Sequence, residues 1–373
     1  MNFRKSVLTA TLTVASLYFL SGCGSTPAPA TVSPMASVIL PVGSNPLAVA
    51  VNPVTNIAYV TNEASNTVTV VSGATNSLHT IPVGTNPYAV AVNSVTNQIY
   101  VGDQSSNTVS VIDGATNSVS STIPVGSVPT AIEVNSVTNT VYVANEGAAS
   151  VSVIDGTTNS VSATVPVGVS PYALAVNSVT DTVYVANEGA ASVSVINGTT
   201  NSVSATVPVG VSPYALAVNS VTNTVYVANE GAASVSVIDG TTNSVSATVP
   251  VGNGPKAVVV NSATNAAYVA NDFSGTVSVI NGANNKVTST VTAGVDPIAL
   301  AMDSATNTVF IASSAAVFSL NASTGAITLV VDGAEPTAIA INSATNTVYV
   351  PAEGTNTVTV FAPPAISSAS IAN

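Results

Sequence analysis

An all-β fold, a β-propeller of four-stranded antiparallel blades, is what this 373-residue sequence predicts, on three observations. A Tyr-Val pair recurs at Tyr59, Tyr100, Tyr142, Tyr184, Tyr226, Tyr268 and Tyr349, with Phe310 in the same place, 39 to 42 residues apart. Each copy holds four short segments rich in Val, Ile, Thr and Tyr and bounded by Asn, Asp, Gly or Pro, which reads as strands joined by tight turns. The ends are complementary: ASVILPVG at 36–43 matches the fourth segment of a repeat, whereas the last repeat, 336–361, stops after its third. A four-stranded sheet that repeats at this period and buries both faces against copies of itself is a propeller blade. Seven whole repeats plus one blade shared by the two termini make eight. Seven blades is the alternative, because the copy around FIASSAAVFSL is shortened and lacks its Tyr and Asn.

The elements of one repeat follow in order. A segment such as YALAVN leads through the turn NSVTN to TVYVAN, then through EGAA to SVSVI, and through DGTTN to SVSATVPVG. In TVYVAN, Val141 and Val143 face one side and Tyr142 and Ala144 the other, so both faces are apolar and both should be covered. In SVSATVPVG, Val161, Ala163 and Val165 alternate with Ser162 and Thr164, as expected of an outer strand with one wetter face. Helical repeats of similar length would need a 3.6-residue pattern and fewer β-branched residues, and the coils of a parallel β-helix would be shorter.

Ahead of the repeats, MNFRKSVLTATLTVASLYFLSGCGS has a short basic start, an apolar run and then small residues, the layout of an export signal over 1–22. Leu20, Ser21, Gly22 and Cys23 resemble the lipobox of bacterial lipoproteins, which implies cleavage before Cys23, its acylation, and a membrane as the first partner. The Pro-rich stretch 23–35 reads as an extended tether, 36–361 as the propeller and 362–373 as a flexible tail. No aspartate follows Cys23, which tilts the expected address to the outer membrane or cell surface, with the periplasmic side as the alternative.

Composition narrows the function. Four Lys and Arg stand against sixteen Asp and Glu, and two of the cations, Arg4 and Lys5, lie in the leader. Phosphate backbones are held by clustered cations, so nucleic acid is set aside as a partner. A single cysteine excludes an intrachain disulfide framework. His79 is the sole histidine, at an outer-strand place, which leaves no plausible zinc or copper site, and no cofactor or metal is expected. The sequence lacks a Gly-Xaa-Ser-Xaa-Gly elbow and a phosphate loop. A non-enzymatic monomer is the expectation.

YVTN at 59–62 and its variants YVGD, YVAN and YVPA, in a repeat also carrying PVG, VN and VIDG, resemble the YVTN β-propeller repeats of bacterial and archaeal secreted and surface-layer proteins. The resemblance covers almost all of the chain after the tether. It implies a fold and an address outside the cytoplasm more than an activity.

Alternating strand directions put loops two-to-three and four-to-one on one face of the disc. Two sets of candidate residues fall there. Acids follow the second segments: Glu63, Asp103, Glu146, Glu188, Glu230, Asp272 and Glu353, a ring that would attract a basic protein surface, with solvated loop acids as the plainer reading. The residue after the repeat's Pro varies between copies, giving Tyr88, Tyr172, Tyr214 and Lys256 beside Leu47, Thr130, Ile298 and Thr337. Three tyrosines there suit a glycan, peptide or aromatic surface. The sequence thus predicts a binding or scaffolding module for protein or glycan, the alternative being a lyase or hydrolase acting through an acid-ringed mouth. VYVANEGAASVSVI occurs unchanged at 141–154, 183–196 and 225–238. A distinctive site is therefore expected among divergent repeats, those with Asp103, Lys256, Phe273 or the seventh copy.

Overall fold

The computed structural model describes residues 37–333 and 335–362. Cys23, the expected leader and tether, and all but the first residue of the expected tail lie outside the described residues.

The chain forms eight four-stranded antiparallel sheets arranged as an eight-bladed β-propeller. Numbered along the chain, blades 1 to 7 begin with innermost strands at Pro46, Pro87, Pro129, Pro171, Pro213, Pro255 and Pro297. Blade 3 is typical: Pro129–Asn135, Thr140–Asn145, Ser150–Asp155 and Ser160–Pro166 lie side by side in chain order. Blade 8 combines Ala340–Asn342, Thr347–Ala352 and Thr357–Phe361 with Ser37–Pro41 from the other end of the domain. Ser37 pairs with Phe361 and Pro41 with Thr357, so the two ends clasp as expected. The shortened seventh copy is still a full blade, which removes the seven-blade alternative.

The repeated Tyr explains how blades stack. Tyr142 of blade 3 packs on Leu174, Val183 and Val185 of blade 4, and Tyr349 of blade 8 packs on Ala58 and Val60 of blade 1, closing the ring. Phe310 does the same service toward blade 8, meeting Phe361 edge-on with ring centroids 5.9 Å apart. Burying each such ring contributes about 2–3 kcal/mol. Burial also raises the Tyr59, Tyr100 and Tyr142 phenols to about 12, helped by a turn aspartate of the following blade. The glycine of VIDG makes room for the phenol: a Cβ on Gly240 would lie 2.7 Å from the Tyr184 hydroxyl, and one on Gly282 2.5 Å from that of Tyr226.

In blades 1 and 3 to 6, the Asn of YVAN or YVTN ties the blade internally. Asn145 Nδ2 donates to Ser150 Oγ at 3.2 Å and Ser152 Oγ at 2.9 Å, coupling the second strand to the third. At the opposite face, the Asn ending each innermost strand does two jobs. Its Oδ1 accepts backbone N–H groups of its own NSVTN turn, as Asn135 does from Val137 and Thr138. Its Nδ2 donates to the turn residue of the next blade: Asn52 to Asn97, Asn93 to Asn139, Asn135 to Asp181, Asn177 to Asn223, Asn219 to Asn265, Asn261 to Asn307 and Asn342 to Asn56, at 2.6–2.9 Å. These acceptors sit at φ of 50–56°, a left-handed conformation that Asn and Asp tolerate better than other side chains. Blade 7 carries Asp303 in place of the donor Asn, and a carboxylate has no N–H to give. Among the described residues, no helix is long and apolar enough to cross a membrane.

Candidate functional site

The innermost strands converge on the axis, and the residue after each leading Pro rims the channel. A cavity of about 490 Å³ opens there, lined at that position by Leu47, Tyr88, Thr130, Tyr214, Lys256, Ile298 and Thr337, with Ala48, Ala89, Val90, Ala131 and Ile132 deeper. The chosen tyrosines are brought together. Tyr88 and Tyr172 hydroxyls lie 3.0 Å apart, and those of Tyr172 and Tyr214 2.8 Å apart. The Tyr172 and Tyr214 rings also pack with centroids 4.5 Å apart. Blades 2, 4 and 5 thus build an arch that passes over blade 3, where Thr130 is buried and donates to the Pro171 carbonyl at 3.2 Å. Burial, then the hydrogen bonds to Tyr214 and Tyr88, pushes the Tyr172 phenol up, and burial pushes up Tyr214, so both remain neutral hydroxyls at physiological pH.

Lys256 continues the rim but is not available as a free cation. Its Nζ lies 2.5 Å from Asp272 Oδ2 and 3.9 Å from Glu230 Oε1. It also stands 5.6 Å from the centroid of the Phe273 ring, which is 70% exposed.

The expected acid ring is real in outline and wrong in one member. In equivalent loops, the backbone N–H of Glu63, Gln104, Glu146, Glu188, Glu230, Asp272 and Glu353 donates to the carbonyl of Asn45, Asn86, Val128, Ser170, Ser212, Gly254 and Glu335, respectively. Gln104, not Asp103, holds blade 2's place. Asp103 ends the strand Gln98–Asp103 in the position that other blades give to Asn, and it is fully buried. There its carboxylate accepts from Ser110 Oγ at 2.7 Å and Thr108 Oγ1 at 3.1 Å. Burial raises its pKa to about 6 against the pull of those hydrogen bonds. The register of the repeat misled the sequence reading, since YVGD places an acid one residue before EGAA does. Of the rest, Glu63 bridges Asn45 and Asn86, Asp272 is buried against Lys256, Glu146, Glu188 and Glu230 are half-buried, and Glu353 is exposed. His79 is exposed on an outer strand.

One channel residue escaped the sequence reading. Glu133 pairs with Tyr142 on the innermost strand of blade 3. The residues paired with the matching aromatic in the other blades are Ala50, Ala91, Ala175, Ala217, Val259, Ala301 and Ala340. Its side chain is open to solvent, and desolvation by the surrounding channel raises its carboxyl to about 7, against a small opposing effect of the Val134 N–H. The signal was present: PTAIEVN is the one innermost segment with an acid between its Pro and its final residue. Among the described residues, no group of three or more His, Cys, Asp or Glu is placed to hold a metal ion.

No family model matches the chain, and no curated protein matches it. Among solved structures, it is similar to the hydrazine synthase of Kuenenia stuttgartiensis, at 18% identity and a TM-score of 0.63 over 91% of this chain and 99% of that one. It is also similar to the computationally designed protein Ika8, at 18% identity and a TM-score of 0.71 over 87% and 98% of the two chains. At such identity the likeness shows the fold alone. An enzyme and a designed protein share this ring, so its chemistry has to be read from the side chains.

Proposed function

We propose that this propeller is a non-enzymatic module that binds a protein or glycan partner at the tyrosine-rimmed channel mouth. The observation that carries the reading is the Tyr88–Tyr172–Tyr214 arch. The residue after Pro varies around the ring, and in blades 2, 4 and 5 it places three aromatic, hydroxyl-bearing side chains that join across three blades. Tyrosine supplies contact area with little loss of side-chain freedom on binding, and a chain of linked hydroxyls keeps a donor to offer outward. Half-buried Glu146, Glu188 and Glu230 flank the arch on repeated loops and favour a partner with a basic edge. Glycan and peptide arrays probed with the full chain test this. Signals that vanish in the triple variant Tyr88→Ala, Tyr172→Ala, Tyr214→Ala support it; unchanged signals overturn it.

Membership of the YVTN-repeat propellers and anchoring by an acylated Cys23 complete the proposal, supported by the motifs and by the lipobox-like Leu20–Cys23 stretch. Two or more acyl chains would hold the domain firmly at an outer membrane or cell surface. Mass spectrometry of the mature N-terminus tests the anchor: an unmodified Cys23 would sink it.

A second reading, a lyase or hydrolase, draws on Glu133 rather than on the acid ring, because a carboxyl near pH 7 suits a general base. Turnover in a lactone, ester and glycan screen, abolished by Glu133→Gln, would favour it.

A further inference from the structure

The polar groups around the mouth cavity are engaged with one another. Three tyrosine hydroxyls joined by two hydrogen bonds leave one proton to offer. Thr130 donates to the Pro171 carbonyl, and Thr337, at the equivalent place in blade 8, donates to the Pro46 carbonyl at 2.9 Å. Lys256 is held by Asp272. What the cavity leaves to a ligand is aliphatic: Leu47, Val90, Ile132 and Ile298, together with three alanines. A sugar carries a hydroxyl on most of its carbons, and each one shut in without a partner is costly. Apolar side chains meet no such cost, and about 490 Å³ has room for more than one of them.

Just outside the rim the unbalanced charge is negative. The backbone N–H groups of Glu146, Glu188 and Glu230 donate to the carbonyls of Val128, Ser170 and Ser212 at 2.9 Å, two residues before Thr130, Tyr172 and Tyr214. That sets each acid beside the mouth. Glu146 and Glu188 have no ion-pair partner among the described residues, and Glu230, at 3.9 Å, shares Lys256 with Asp272. A partner that fills the cavity with apolar groups therefore gains from cations on its flanks. We infer that the mouth cavity takes apolar side chains of an exposed protein segment whose flanking residues are lysine or arginine. The partner is then a protein rather than a glycan, on the condition proposed above that the mouth is the binding site.

Capped peptides Lys-Gly-Xaa-Xaa-Gly-Lys, with both central positions varied over all amino acids, are arrayed and probed with the full chain. Signals are expected to concentrate on aliphatic and aromatic pairs. In solution titrations the Leu-Phe peptide should bind about tenfold or more tighter than the Ser-Ser peptide, and lose most of its affinity when its lysines are replaced by glutamates. Ile298→Lys, which puts a cation in the cavity wall, and the double variant Leu47→Thr, Ile298→Thr should each erase the Leu-Phe preference. Blades 6, 3 and 8 already carry those residues at this place, so the fold is not at risk. Array signals indifferent to the central pair, no peptide signal, or an unchanged preference in either variant overturns the inference. So does 1-octylamine binding as tightly as the Leu-Phe peptide, or self-association of the purified chain that Ile298→Lys abolishes, since the occupant would then be a free amphiphile or a second copy. A glycan array that responds, and falls silent in the triple tyrosine variant, while the peptides give nothing leaves the mouth as a binding site and overturns only the choice of protein. Silence on both arrays overturns both.

Discussion

At the scale of the residue, Asp103 shows how one changed letter in a copied repeat becomes a charged group in an enclosed place. Asp103 takes an Asn position, and its folded-state pKa of about 6 lies above its ordinary 3.8. The folded state therefore holds the proton longer than the unfolded one. Stability falls as pH rises from about 4 to 6 and is flat above that, where the charged form carries its full burial cost. Asp103→Asn should raise stability at pH 7.5 by on the order of 1–3 kcal/mol. The gain should vanish near pH 4; a gain independent of pH across a thermal-melt series would refute the assignment. Strain is equally local. Ala149, Ala191 and Ala233 sit at φ of 45–47°, where blade 6 has Gly275. Relief of the left-handed cost, less the extra freedom of glycine when unfolded, makes Ala191→Gly stabilising by about 0.5–1 kcal/mol in denaturant unfolding. A destabilised variant would show that the loop gains from its methyl group. The propensity of Ala gives no hint of this conformation, which belongs to the loop's closure.

At the scale of the element, the NSVTN turn was legible in sequence as turn chemistry and is that, but half of its role was not. The donated hydrogen bond joins side chains 45 or 46 residues apart on adjacent blades for six of the links, and no local pattern announces it. The seam between blades 7 and 8 lacks the link because Asp303 accepts from its own turn, including Thr306 Oγ1 at 2.6 Å, and cannot donate. Asp303→Asn should restore the missing bond to the turn of blade 8 and raise stability by about 0.5–1 kcal/mol. An unchanged melting temperature would mean that this seam is held too far apart to form it.

At the scale of the whole molecule, stability depends on closure. Residues 37–41 pair along the full length of Thr357–Phe361, and without them blade 8 has a bare outer edge. Deleting 36–43 should lower the melting temperature far more than deleting 362–373, and equal midpoints for the two truncations would show that the clasp contributes nothing. The near-identical arc of blades 3 to 5 offers repeated loops, an arrangement that favours multivalent contact. Distinct chemistry enters where copies differ: the tyrosines after Pro, Lys256 beside Phe273, and Glu133.

The sequence by itself determined the repeat, the four strands of each blade and the shared closing blade, because β-branched alternation and turn residues are local signals repeated many times over; that the shortened seventh copy is a full blade, making the count eight, was decided by the structure. It also placed Tyr88, Tyr172, Tyr214 and Lys256 at the channel mouth, since a single register governs all the innermost strands. Tertiary structure alone decided that the tyrosines join into an arch, that Lys256 is occupied by Asp272, that Asp103 is a buried substitute for Asn, and that Glu133 stands unpaired in the channel. Those facts depend on which side chains meet across blades and on how completely protein surrounds them, quantities that no periodicity along the chain contains.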